Sequence, residues 1–185
     1  MSFQFKVVVF MVASVGIVWV SWPSLRNFRF HGFYRFFAWE AILVLILINF
    51  DYWFYAPLSA LQVISWFLLI VSLFLVIHGV QLLRMVGKPD DQRADPSLIG
   101  IEKTTTLVTV GAFKYIRHPL YSSLLFLVWG AFFKHTSWIG VCLAVLTTFF
   151  LTLTAKVEEA ENIGIFGDVY RSYLTQTKMF VPFLF

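Results

Sequence analysis

Five runs of mostly apolar residues, at 5–20, 36–54, 58–83, 119–133 and 137–155, dominate the chain and set what it can become. A helix needs about 20 such residues to cross roughly 30 Å of hydrocarbon, where every backbone polar group has to be satisfied internally. The runs predict an all-α integral membrane bundle of five transmembrane helices with a C-terminal cytoplasmic helical segment. Composition agrees, because 59% of the 185 residues are hydrophobic, 13% are charged and the mean hydropathy is +0.80. That is about half the charge of an ordinary soluble domain, too little to coat a water-facing surface of this size. A disordered chain, a disulfide scaffold and a plain cytosolic enzyme are excluded, and Cys142 stands alone. The pI near 9.3 raises the question of nucleic acid, but on so apolar a chain it reflects anionic lipid and topology. Membrane lipid is the expected partner, and no nucleic acid.

The edges of the runs carry their own signals. The first ends before Ser21-Trp22-Pro23 and lacks a small-x-small cleavage pattern, so it reads as a span and not as a signal peptide. Between the third and fourth runs, residues 84–106 hold Gly87, Pro89, Asp90, Asp91 and Pro96, which are turn and loop formers. Pro119 suits the first turn of the fourth helix, where its missing N–H costs nothing. Lys134-His135-Thr136 makes a short turn, and 156–177 is mixed and helix-compatible before Phe180-Val181-Pro182.

Charge placement orients the bundle. Five crossings leave Lys6 and Lys134 on one side and 12 of the 14 basic residues on the other. The positive-inside rule makes the basic side cytoplasmic and puts the N-terminus outside. Eight of the ten acids share the cytoplasmic side, among them Glu158-Glu159 directly after the fifth run. Attraction to lipid headgroups does not explain acids there. A polar site does, and so does a solvated helix start with carboxylates near its positive dipole end.

Arg117-His118-Pro119-Leu120-Tyr121 lies at the cytoplasmic mouth of the fourth span. Singly, an arginine snorkels, a tyrosine joins the interfacial belt and a proline starts a helix. The chain then crosses twice, so a hairpin returns Glu158 and Glu159 to the face holding Arg117 and His118. Fifteen residues reach roughly 22 Å, short of the hydrocarbon thickness. Arg117 and His118 are therefore expected partly within the membrane plane, facing a protein-lined cavity where charge is tolerated. The inferred site is a pocket open to the cytoplasm, roofed by Arg117, His118, Tyr121, Glu158 and Glu159.

Taken together, Leu107-Val108-Thr109-Val110-Gly111 leading into Arg117-His118-Pro119-Leu120-Tyr121, then Glu158-Glu159, then Phe166-Gly167-Asp168-Val169-Tyr170, Tyr173 and Pro182, resemble the isoprenylcysteine carboxyl methyltransferase superfamily. That superfamily includes phospholipid N-methyltransferases and small bacterial members. The resemblance covers residues 103–185. It implies a cofactor-binding hairpin and C-terminal segment at 103–185, beside a three-helix acceptor side at 1–102. It further implies S-adenosyl-L-methionine as cofactor, with contacts from His118, Pro119, Tyr121 and Glu159 and a wall from Leu107, Val108 and Gly111. Arg117 would hold a cofactor or acceptor carboxylate, and Glu158 or Glu159 would balance sulfonium or ammonium charge. The chain departs from the pattern at Thr106, Ser123 and Gln176, where the family often has His, Gly and a basic residue.

The expected activity is methyl transfer to a lipophilic or membrane-delivered acceptor, with a prenylcysteine carboxylate, a phospholipid amine and a small thiol all open. The alternatives are an NADPH-dependent enzyme like the sterol reductases, which carry a similar R-H-P-x-Y element, and a non-enzymatic membrane scaffold. Glu40 and Asp51 lie 11 residues apart on one face of the second span, so Glu40 needs a partner or cavity at lipid depth. His78, Gln81 and Arg84 form a stripe that lines an acceptor route or bonds a neighbouring helix. His31 and His135 read as loop residues, and no pair of histidines has metal-ligand spacing, so no metal is expected.

Overall fold

The computed structural model describes residues 1–88 and 103–183. Among them the chain forms six α-helices and no strand: α1 Phe3–Leu25, α2 His31–Asn49, α3 Ala60–Met85, α4 Pro119–Phe132, α5 Trp138–Phe166 and α6 Asp168–Gln176. Four of these (α1, α2, α3 and α5) are long and apolar enough to cross a membrane, and α4 is a shorter apolar helix. The turn formers Pro89, Asp90, Asp91 and Pro96, and the acids Asp95 and Glu102, lie outside the described residues.

Packing runs from α1 onto α2, from α2 onto α5 and α4, and from α4 onto α3. Large apolar side chains point outward, such as Val12 and Trp19 on α1 and Phe67 and Phe74 on α3. The contact faces instead bury small and weakly polar residues: Ser21, Ala38, Ala41, Ser65, Ser72, Ala144, Thr147 and Ala155. Lipid offers no hydrophobic drive for helices to associate, so they meet where backbones can approach closely and side chains can bond across.

Several boundaries differ from the sequence expectation. α1 runs through Pro23 to Leu25, with Ser21 and Ser24 buried on its last turns. α2 starts at His31, five residues before the apolar run, so His31 is not a loop residue. It is fully buried and lies 2.6 Å from Glu161 through Nδ1, while buried Arg35 stacks 4.8 Å over the Trp39 ring. α5 continues unbroken to Phe166 in place of ending near 155. Its 29 residues reach about 43 Å, some 13 Å beyond the hydrocarbon thickness.

The short α4 resolves its length at its C-terminal end. The last carbonyls of a helix lack intrahelical partners, and inside protein they have no water. Side chains of the neighbouring helices supply donors. Asn49 Nδ2 donates to Ala131 O at 2.8 Å and to His135 O at 3.1 Å. Ser65 Oγ donates to Gly130 O at 2.7 Å, and Gln62 Nε2 to Lys134 O at 3.1 Å. Lys134, just past the helix, is itself buried, 3.1 Å from Gln62 Oε1 and 3.3 Å above the centre of the Trp66 ring. On the same side the N-terminal amino group and Lys6 reach Asp51 at 2.6 and 2.7 Å. Glu40 finds its partner in Ser14 Oγ, 2.7 Å away.

Candidate active site

Pro119 opens α4 and leaves His118 at the N-cap position, with no side-chain cap bond of its own. The backbone just before it is held by the C-terminal segment in a parallel bridge between Ile116 and Lys178. Lys178 N–H donates to Tyr115 O at 3.0 Å, Arg117 N–H to Lys178 O at 2.8 Å and His118 N–H to Met179 O at 3.2 Å. Phe180 is fully buried beneath, edge-on to the His118 ring. Residues 115–118 are thus pinned from one side by 178–180 and from the other by the extension of α5.

The hairpin brings the expected charges together. Arg117 Nε donates to Glu159 Oε1 at 2.6 Å, and its Nη1 donates to the carbonyls of Leu174 and Thr177. His118 is buried, with Nε2 3.3 Å from Glu159 Oε1 and Nδ1 3.8 Å from Glu158 Oε2. Its ring stacks on Tyr121 at 5.4 Å. Two carboxylates therefore flank one imidazole and one guanidinium, most of which is shielded from water. Among the described residues, Glu158 Oε2 is buried with no hydrogen-bond partner.

Glu158 forms part of the wall of a cavity bounded by the ends of α3, α4 and α5, by 104–113 and by α6. Of the residues expected at the site, Leu107, Val108, Arg117, His118, Pro119, Tyr121 and Glu158 line it. Glu159 stands behind them, holding Arg117 and His118. Gly111 is not in the lining. Its φ of +59° suits glycine, and a Cβ there would come within 2.6 Å of His78 Nε2 and Leu82 Cδ1, so it seats the 111–114 turn on α3. His78 therefore packs against that turn and stacks on Phe74 at 5.4 Å.

Sequence reasoning did not single out Asn162, Phe166, Tyr170 and Tyr173 as wall residues, although they contribute much of it. Asn162 and Phe166 follow Glu158 at i+4 and i+8 on one helical face, a signal that becomes readable once α5 is known to continue. Tyr173 Oη donates to Phe113 O at 2.5 Å, tying α6 to the turn before α4. Burial pushes the Tyr173 phenol well above its usual value, and burial together with the Glu158 charge does the same at Tyr170. Both remain neutral at physiological pH. The site is a charged corner with an aromatic wall.

The chain matches the family model described as phospholipid methyltransferase over residues 61–169, more than half its length. It is similar to the methanethiol S-methyltransferase of Pseudomonas deceptionensis, 28% identical over 129 residues, which are 70% of this chain and 46% of that protein. Methanethiol S-methyltransferase 1 of Bradyrhizobium diazoefficiens is 27% identical over 119 residues, 64% of this chain and 39% of that protein. The corresponding protein of Crocosphaera subtropica is 26% identical over 126 residues, 68% and 46% of the two chains. The chain thus spans about half the length of the relatives it matches. No solved structure matches it.

Proposed function

The chain belongs to the phospholipid methyltransferase family, and from that premise we propose that it is an integral membrane methyltransferase using S-adenosyl-L-methionine. The observation that carries this reading is Glu158 Oε2, buried without a hydrogen bond and 3.8 Å from His118 Nδ1, in the wall of a cavity with aromatic sides. A lone carboxylate acceptor suits ribose hydroxyls or a cationic sulfur, and Phe166, Tyr170 and Tyr121 suit the adenine ring. When bound, the cofactor supplies an electrophilic methyl group on a sulfonium. The chain's own residues orient it, exclude water and balance its charge, which is where an in-line displacement gains most of its acceleration. Glu158 takes the charge-balancing role. Glu159, His118, Pro119, Leu107 and Val108 shape and support the cofactor pocket. Arg117, with Nε and Nη1 committed to Glu159 and two tail carbonyls, keeps Nη2 for the carboxylate of the cofactor.

Among acceptors we favour a small or lipophilic thiol. The wall's guanidinium, Arg117, and its imidazole, His118, both already face carboxylates, which disfavours an acceptor that arrives as an anion. The relatives named above are methanethiol S-methyltransferases. Their activity is carried here as part of the proposal, and the sterol-reductase alternative has no support from the family match. The reading includes five crossings, α4 being the short one, with the N-terminus outside and the pocket facing the cytoplasm. Pairing of the N-terminus with Asp51, at the outer end of α2, supports that arrangement.

Titration of the purified protein in lipid nanodiscs tests the cofactor. S-adenosylhomocysteine is expected to bind and raise Tm, while NADPH leaves Tm unchanged. Labelled methyl transfer is then compared between methanethiol and a membrane lipid extract. Failure to bind S-adenosylhomocysteine sinks the cofactor reading, and label appearing in lipid alone sinks the thiol reading.

A further inference from the structure

The extension of α5 is held on a second side, away from the cavity. α2 begins at His31, and Phe30 at its N-cap position offers no side-chain cap bond. The first N–H groups of a helix need acceptors, most of all when buried. Glu161 supplies one from another helix. Its Oε1 accepts from His31 N–H at 3.1 Å, and its Oε2 lies 2.6 Å from His31 Nδ1. His31 is fully buried and Glu161 is 19% exposed. A carboxylate at the positive end of a helix dipole, also bonded to the first side chain of that helix, is a tertiary N-cap.

Position on the helix gives this contact its meaning. At about 100° per residue, Glu161 points roughly 200° away from Glu159. Glu159 meets Arg117 and His118 on one face and Glu161 meets α2 on the opposite one, while Glu158, about 60° round the helix from Glu161, stands between them beside His118. The end of α5 beyond the hydrocarbon is short, with Gly164 inside it and Gly167 at its C-cap, and such a helix end has little stability without tertiary contacts. The two acids of the pocket therefore sit on a segment that needs holding from both sides.

We propose that His31 and Glu161 form a positioning pair, which fixes the last turns of α5 so that Glu158 and Glu159 face the cavity at working distance. The pair touches no reacting atom. It acts through the helix and joins the end of α2 to the site, so that displacement of α2 is felt at both carboxylates. The inference rests on the cofactor reading to the extent that those carboxylates are its ligands.

The test compares His31→Leu, which keeps volume and loses the imidazole bond, with His31→Asn, whose amide nitrogen reaches Glu161 from nearly the place of Nδ1. Hydrogen exchange of the ligand-free protein in nanodiscs is read at amides 158–163. In His31→Leu these are expected to exchange about tenfold faster, and S-adenosylhomocysteine to bind about tenfold more weakly. In His31→Asn both are expected to return to within about threefold of the parent. Glu161→Gln, which keeps one acceptor and loses the charge, is expected to fall between and covers the case in which His31→Leu does not fold. Equal exchange at 158–163 in the Leu, Asn and parent proteins overturns the pair, whatever binds. If exchange responds as expected but the parent does not bind S-adenosylhomocysteine, the cofactor reading fails and the pair stands as the anchor of α5.

Discussion

Arg117 Nε and Glu159 Oε1 meet at 2.6 Å across 42 residues of sequence, joining the start of α4 to the end of α5. The same guanidinium also donates to the Leu174 and Thr177 carbonyls, so one side chain ties together three segments of the chain. Breaking such a shielded pair leaves an uncompensated charge, at a typical cost of about 3–5 kcal/mol when fully buried. Glu159→Gln is expected to weaken S-adenosylhomocysteine binding at least tenfold in calorimetry and to lower Tm. Arg117→Lys is expected to fare no better, because an ammonium has no fork with which to reach a carboxylate and two carbonyls together.

Tyr173→Phe removes a single hydroxyl and leaves the Phe113 carbonyl without its 2.5 Å donor. A buried acceptor stripped of its partner costs about 1–3 kcal/mol. The variant should unfold several degrees below the parent and bind cofactor analogues more weakly. Ultraviolet titration supplies a second check. Because burial raises both phenols, Tyr170 and Tyr173 should stay un-ionised in the folded protein at pH 10 and ionise on unfolding.

Lys134 gives the protein a signed response to alkali. Burial lowers its pKa from the ordinary 10.5 to about 8. Between those values the unfolded chain binds more protons than the folded one, so stability rises with pH across that window. Below about pH 8 both states are protonated and this contribution is flat. Apparent Tm in nanodiscs should therefore be higher at pH 9.5 than at pH 7.5. Lys134→Met should flatten that slope, and a parent curve that falls steadily from pH 7.5 to 9.5 would count against the assignment.

Asn49 probes the C-terminal end of α4. Its amide donates to Ala131 O, in a fully buried bond, and to His135 O, in a partly buried one. Asn49→Ala should cost about 2–4 kcal/mol for the pair, seen as a fall in Tm, with exchange at amides 130–136 accelerating before that of the candidate active site. If both regions loosen equally, the end of α4 is not an independent weak point.

The apolar runs made five of the six helices legible, because lipid imposes a length and a hydropathy that no other class of fold shares. The hairpin that returns Glu158 and Glu159 to Arg117 and His118 was legible for the same reason, since two crossings fix which ends meet. Helix ends were less so. His31 and Arg35 look like loop residues to a hydropathy reading, yet Glu161 and Trp39 give them partners that let α2 begin earlier. Gly111 matched a sequence pattern for the pocket wall, but its positive φ serves contact with α3. Asn49, Gln62 and Ser65 were invisible as a group, because bonds from side chains to carbonyls of other helices depend on tertiary register and leave no periodic trace.

The bridge between residues 116 and 178 also sets an order of assembly. Insertion of α1 to α4 delivers Arg117 and His118 to the membrane well before their partners exist. Glu158 and Glu159 emerge some 40 residues later, and the segment that closes over them follows. Over that interval a nascent chain carries Arg117 without its carboxylate partner. The pocket acquires its shape only once residue 178 has been made, and chains arrested before it would hold the corner without the segment that closes it.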